Sequence, residues 1–321
     1  MSLNVIDYEA AIDHLSWDGA IEALRSGHRA ARAEVNDLVL GPPEGALLNR
    51  AAYIAGTGYG VKAVTVFDDN PAHGLATVQG AMLVFEPQHG CLSAVIDSRL
   101  VTEYKTAGDS VLGAQLLARP DSRQLLIVGA GTLARSLVKA YAAGFPALER
   151  IAVWARRPEQ AQKLAEEMQD MTVEVAAVDD LPQAAAQADI ISTATMARTP
   201  VIQGAWLRPG THVDLIGAYK ADMREADDEL LTRGKLYVDS RETTIGHIGE
   251  LMIPIAAGVI TADDVQGDLY DLVPGTAGRQ TDTEITVYKN GGGAHLDTMI
   301  ARYIAQAMAD RDLDRPRPGV D

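Results

Sequence analysis

The segment Leu125-Leu126-Ile127-Val128-Gly129-Ala130-Gly131-Thr132-Leu133-Ala134 decides the fold. Four apolar residues of strand character run into two glycines, and an amphipathic run follows through Leu133, Leu137, Val138 and Tyr141. Strand, tight turn and helix in that order suit a dinucleotide pyrophosphate. The backbone must approach the phosphates without an intervening side chain, while helix N-terminal N–H groups face the anion. Gly129 then makes the turn, Gly131 the close approach, and Ala134 holds the helix tight on the strand. Ala130, Thr132 and Leu133 complete the expected cofactor loop. The plainer alternative is an ordinary strand-to-helix turn.

Working outward, strand and helix patterns alternate after this segment. A helix to about residue 143 is followed by a strand at 151–154, a helix at 159–168 and strands at 173–175, 189–194, 211–217 and 235–239. That rhythm predicts a parallel α/β sheet. Thr193, Ala194 and Thr195 close one of these strands with small residues suited to lie beside a ribose or nicotinamide. Upstream, residues 12–35 read as a helix, and short β-rich runs between residues 46 and 96, divided by turns, read as a mainly antiparallel sheet. A helix over 100–118 ends at Arg119-Pro120-Asp121-Ser122, taken as the domain linker. Around residue 290 the alternation stops, and Gly291-Gly292-Gly293 leads into a last helix over about 296–308 that returns to the first domain. Residues 311–321, charged and carrying two prolines, are expected to fray.

Composition narrows the function classes. A length of 321 residues allows two domains, each with a core. A formal charge of −16 argues against nucleic acid and anionic membrane surfaces as partners. One cysteine, Cys91, excludes an internal disulfide and a cysteine zinc cluster, fits a reducing cytoplasm and reads as a small hydrophobe. No apolar run approaches the roughly 20 residues of a membrane span, and Met1-Ser2-Leu3-Asn4 lacks signal-peptide character. The histidines show no paired ligand spacing, so no catalytic metal is expected. The alanine-rich run 183–188 reads as a helix surface, and the acidic cluster 225–229 as solvated.

The second strand of the alternating region ends Trp154-Ala155-Arg156-Arg157, where an NAD site usually carries an acid for the ribose hydroxyls. Two guanidinium groups suit a 2′-phosphate, which favours NADP with NAD possible. The alternative is a pair of solvated charges opening a helix before Pro158.

Further segments carry a resemblance. Val61-Lys62-Ala63-Val64-Thr65 with Asn70, Gln79-Gly80, residues 102–107, Ile216-Gly217-Ala218, Met223-Arg224-Glu225, Val238-Asp239-Ser240 and Gly293-Ala294-His295-Leu296-Asp297 stand in the order seen in the ornithine cyclodeaminase and mu-crystallin family, which the chain resembles over nearly its whole length. The resemblance implies a Rossmann-type parallel-sheet domain inserted in a smaller α+β substrate-binding and dimerisation domain, and amino or cyclic imino acids as substrates. The expected division is 1–119 plus 294–321 against 120–293, in a homodimer.

Two departures from the family pattern bear on the chemistry. Lys105 stands before Thr106-Ala107 where an arginine is common, and Tyr219 stands where the cyclodeaminases carry a catalytic aspartate. Loss of that base shifts the expectation to the imine-reducing branch. The resemblance places Lys62 and Lys105 as cations for a substrate carboxylate, and Arg50 is the candidate third cation, with an exposed edge-strand arginine as the alternative. Gln79 is a candidate hydrogen-bonding partner for the substrate and Thr106 for a cofactor phosphate. Asp297 is a candidate stabiliser or proton donor; the alternative is a first-turn helix acid. The expected reaction is NADPH-dependent reduction of a cyclic 2-carboxylate imine to proline or pipecolate. The rival readings are an ornithine cyclodeaminase, an amino-acid dehydrogenase, a hydroxyproline dehydratase and a non-catalytic NADP-binding protein.

Overall fold

Alternating small and apolar residues over 46–66 fold as a long hairpin whose turn is made by Gly56 and Gly58, both at positive φ. The computed structural model describes residues 3–42 and 44–314 and divides into two units, Met1–Lys105 with Gly293–Asp321, and Thr106–Gly292. Of the segment expected to fray, residues 315–321 lie outside the described residues.

In the first unit, strands β1 (Asn4–Ile6), β2 (Glu34–Leu40), β3 (Ala46–Ile54), β4 (Gly58–Val66), β5 (Val78–Phe85) and β6 (Leu92–Asp97) form one sheet in the order β1-β6-β5-β4-β3-β2. It is antiparallel except for the β1–β6 pair. The helix Ala294–Asp314 packs across this sheet and against the helix Trp17–Gly27. The helix expected over 12–35 is corrected. Ser16 caps a helix that starts at Trp17 by accepting from the Gly19 N–H, the helix ends at Gly27, and Val35 pairs with Ala52 in a strand.

In the second unit, β7 (Gln124–Val128), β8 (Arg150–Trp154), β9 (Glu174–Ala177), β10 (Ile190–Thr193), β11 (His212–Leu215), β12 (Lys235–Val238), β13 (Val265–Gly267) and β14 (Thr286–Lys289) form an all-parallel sheet. Its order, β13-β12-β14-β11-β10-β7-β8-β9, reverses between β7 and β10. Such a switch point opens a crevice at the carboxyl ends of the strands. Residues 125–128 are wholly buried, as parallel strands covered on both faces require.

The expected linker at 119–122 is also corrected, because the division falls inside the helix Ser98–Leu117. Past Lys105 that helix is bonded into the second unit: the Tyr288 hydroxyl donates to Asp109 at 2.6 Å, and the Asn290 amide to the Thr106 carbonyl at 3.0 Å. Arg119 and Ser122 belong to the same unit, with the Arg119 guanidinium 3.0 Å from Asp189 and Ser122 buried. The 183–188 run is not simply surface, since Ala185 and Ala188 enter the core. Cys91 is exposed in the connection just before β6 rather than packed as a hydrophobe.

Candidate active site

The second unit carries a candidate dinucleotide cradle. Gly129 sits at φ +121°, and a Cβ there would lie 2.5 Å from the Ala194 carbonyl oxygen, so an L side chain is excluded by both conformation and space. Gly131 is the N-cap of the helix Thr132–Gly144, has no capping side chain, and faces open space where a Cβ would meet nothing within 4 Å. The helix N-terminal amides therefore have room for an anion at their end. Ala134 is fully buried behind them, while Thr132 is exposed and Ala130 and Leu133 are half-buried. At the end of β8, Ala155 is buried, and Arg156 and Arg157 are exposed with no carboxylate paired to either among the described residues. These residues fit a dinucleotide, and the free guanidinium pair fits an additional phosphate.

The hydroxyls at the end of β10 do something other than expected. Thr193 and Thr195 donate to the Glu225 carboxylate at 2.8 and 2.7 Å, so their side chains are turned to the protein rather than offered to a ribose. Glu225 is itself wholly buried, which corrects the reading of residues 225–229 as a solvated acidic cluster.

The first unit carries a charged cluster on one face of its sheet. Asp37, Arg50, Lys62, Met82 and Ile96 are successive cross-strand partners from β2 to β6. Lys62 is 6% exposed and its Nζ lies 2.7 Å from Oδ1 of Asp297, which is completely buried in the first turn of the helix Ala294–Asp314. Gly60 lets that helix come so close, because a Cβ there would stand 2.3 Å from the Thr298 hydroxyl. Lys105 is 7% exposed, and its ammonium makes no hydrogen bond or ion pair among the described residues. The second carboxylate oxygen of Asp297 has no hydrogen-bond partner.

Burial pushes the Lys62 ammonium below its ordinary range against the opposing pull of Asp297, and Lys105 and Arg50 push it in the same direction as burial. Burial raises the Asp297 carboxyl, but Lys62, Lys105 and Arg50 outweigh it and hold the group below its usual value. Asp297 is therefore a carboxylate, fixed beside one ammonium and within the field of two further cations.

Arg50 contributes to this field while its guanidinium grips Asp37 at 2.8 and 2.9 Å. Gln79 is exposed, and pairing with Thr65 puts it on the sheet face opposite Lys62, so the structure does not bring it to the cluster. Thr106 is half-buried with its carbonyl engaged by Asn290. Tyr219, half-exposed after β11, has the Lys220 ammonium 5.5 Å from its ring centroid. Among the described residues no group of three or more His, Cys, Asp or Glu side chains is arranged to hold a metal, and no helix is long and apolar enough to cross a membrane.

Among the buried charges of the second unit, sequence reasoning misread Glu225 and did not single out Glu250 and Lys289. A usable signal existed for two of them. Glu250 opens the apolar stretch Leu251-Met252-Ile253, and Lys289 ends Val287-Tyr288, where a lone charge must find partners or snorkel.

Comparison with known proteins bears on both units. The description "Ornithine cyclodeaminase/mu-crystallin family" matches residues 20–312. The Delta(1)-pyrroline-2-carboxylate reductase of Paracoccus denitrificans is 65% identical over 305 residues, covering 95% of this chain and 96% of that one. The structure of the Thermococcus litoralis Delta(1)-pyrroline-2-carboxylate reductase in complex with NADH and L-proline superposes with a TM-score of 0.89 at 28% identity, covering 96% and 98%. An archaeal alanine dehydrogenase dimer with bound NAD gives a TM-score of 0.90 at 27% identity, covering 97% and 98%.

Proposed function

The chain belongs to the ornithine cyclodeaminase/mu-crystallin family, and from that premise we propose that it reduces Δ1-pyrroline-2-carboxylate, or the six-membered piperideine-2-carboxylate, to proline or pipecolate with NADPH. It is an NAD(P)-dependent oxidoreductase of the imine-reducing kind. The observation that carries the substrate reading is the buried, unpaired Lys105 ammonium beside the Lys62–Asp297 pair. One substrate carboxylate neutralises the Lys105 charge, and the ionised Asp297 lies in the same cluster.

When bound, the nicotinamide supplies the hydride. Lys62, Lys105 and Arg50 orient the carboxylate, which is catalysis by positioning. A protonated imine is the electrophile, and its basic nitrogen arrives carrying that proton. Because Asp297 is held ionised, it stabilises the iminium cation rather than donating a proton to it. Tyr219 supplies no carboxylate base, which disfavours ammonia-eliminating cyclisation. Arg156 and Arg157, exposed at the end of β8, would hold a 2′-phosphate, which favours NADPH over NADH.

A homodimer is supported by the dimeric archaeal relative and by the edge strand β2, where Leu38, Val39 and Leu40 are each about half exposed in succession. The exposed free Cys91 fits the reducing cytoplasm. The test is NADPH oxidation followed by absorbance with each cyclic imine and with NADH as control. Turnover of either ring with NADPH preferred supports the proposal. Ammonia release from ornithine, or water loss from a hydroxyproline, without imine turnover would refute it.

A further inference from the structure

The loops that follow β7, β10 and β11 rest on one another. A Cβ at Gly129 would strike the Ala194 carbonyl oxygen at 2.5 Å, and a Cβ at Gly217 would lie 2.0 Å from the Thr195 carbonyl oxygen and 2.4 Å from its nitrogen. Under this stack sits the Glu225 carboxylate. One of its oxygens accepts from the Thr195 N–H at 2.8 Å and the Thr195 hydroxyl at 2.7 Å. The other accepts from the Thr193 hydroxyl at 2.8 Å and the Gly217 N–H at 2.6 Å. All four donors come from the ends of two neighbouring parallel strands, so a single side chain fixes the spacing of both loops.

The carboxylate is itself braced. Glu250, fully buried, accepts from the backbone N–H groups of Glu225 and Ala226 at 2.8 and 2.9 Å. The Lys289 ammonium, also buried, donates to the carbonyls of Leu215 and Asn290 at 2.8 and 2.9 Å and supplies positive charge to both glutamates. A buried anion with four donors and a nearby cation is costly to assemble and needs full satisfaction. A turn could be closed more simply by backbone bonds alone.

We infer that Glu225 is a positioning residue for the dinucleotide: its carboxylate ties the loop after β10 to the loop after β11 and thereby holds the Gly129 turn, which leans on Ala194, at the spacing the cofactor needs. This deepens the proposed function and rests on its dinucleotide site. Glu225 is too buried to touch the cofactor and acts through the backbone it holds.

The test is Glu225→Gln in the full-length protein, read by NADPH titration with nicotinamide fluorescence and by steady-state kinetics. The amide keeps the size but turns two acceptor positions into donors. A threonine hydroxyl can rotate to accept, whereas the opposing backbone N–H cannot. The expected result is a rise of about tenfold in the KM and Kd for NADPH, the scale of an orphaned buried donor. The fluorescence of bound NADPH changes, and the KM for the imino acid stays within about twofold. Unchanged NADPH affinity and fluorescence in the folded variant would overturn the inference.

Should E225Q fail to fold, Thr193→Val decides. Its hydroxyl is wholly buried, so the near-isosteric change removes one donor without touching a bound ligand. A NADPH Kd raised about threefold supports the clamp, and a wild-type value overturns it. Wild-type protein that binds NADPH but reduces neither ring refutes the proposed substrate and leaves the clamp to be judged on binding alone.

Discussion

Replacing Asp297 by Asn changes one atom's worth of shape and removes the charge 2.7 Å from Lys62. Lys62 remains buried, with Lys105 and Arg50 still pushing against its protonation. Two unit charges 4 Å apart at an effective dielectric of about 20 interact by about 4 kcal/mol, so losing the partner removes a large part of what holds the proton on Lys62. The sign follows from the chemistry. In the proposed function Lys62 holds the substrate carboxylate only while protonated, so activity is expected below its pKa and lost as pH rises through it. Without Asp297 that pKa falls further, and the alkaline limb of the kcat/KM profile moves to lower pH. The assay is kcat/KM for pyrroline-2-carboxylate at saturating NADPH across the pH range in which wild type and variant both stay folded. An Asp297→Asn profile parallel to wild type, reduced in height but unmoved along the pH axis, would refute the coupling argument.

Other consequences are as concrete. Replacing Gly131 by Val places a side chain in open space over a helix N-terminus, so thermal stability stays close to wild type while NADPH affinity falls at least about tenfold, a separation checked by melting and fluorescence titration together. Replacing Arg156 and Arg157 by Ala weakens NADPH by about tenfold or more and leaves NADH within about twofold, because a charge-assisted bond of about 1.5 kcal/mol or more is lost only with the phosphorylated cofactor; equal loss with both cofactors would contradict the assignment. Burial raises the Asp214 carboxyl from 3.8 to about 7 despite bonds from Ser192, Ser110 and Tyr141. The fold therefore binds a proton that the unfolded chain has released, and the stability this group contributes is lost as pH rises from about 4 to about 7. Denaturant melts of Asp214→Asn against wild type should show the variant gaining, relative to wild type, up to about 4 kcal/mol across that window.

The cofactor cradle was legible because its requirements are local: a buried strand, a turn only glycine can make and an uncapped helix start all lie within ten consecutive residues. Lys62 was singled out through the family resemblance, and the structure buries it as a charge within an apolar strand. What sequence could not show were the partners. Asp297 and Lys62 are 235 positions apart, and only the close approach allowed by Gly60 joins them. Glu225 was misread because a cluster of acids looks solvated until the donors that bury one of them, Thr193, Thr195 and Gly217, are brought round by two parallel strands. Strand β2 was hidden because its exposed face lacks the alternation that marks a half-buried strand, and the apolar spacing of its helical neighbour ran on into it. The unit boundary was misplaced because proline and aspartate at 120–121 signal a break in the chain, whereas contacts, not breaks, define a unit.

Strand β14 is drawn from residues 286–289 yet lies between β11 and β12, inside the sheet rather than at its edge. During synthesis the second unit must wait for it with two strand flanks unpaired, and the first unit must wait a little longer for the helix at 294–314 that covers its sheet. Neither unit can close while its own early residues emerge; both become complete only with residues 286–314. Nascent chains stalled or cut before residue 286 would expose open sheet edges, a template for aggregation and for proteases. Assembly of both units thus waits on residues 286–314, and a copy lacking them leaves open what those residues close.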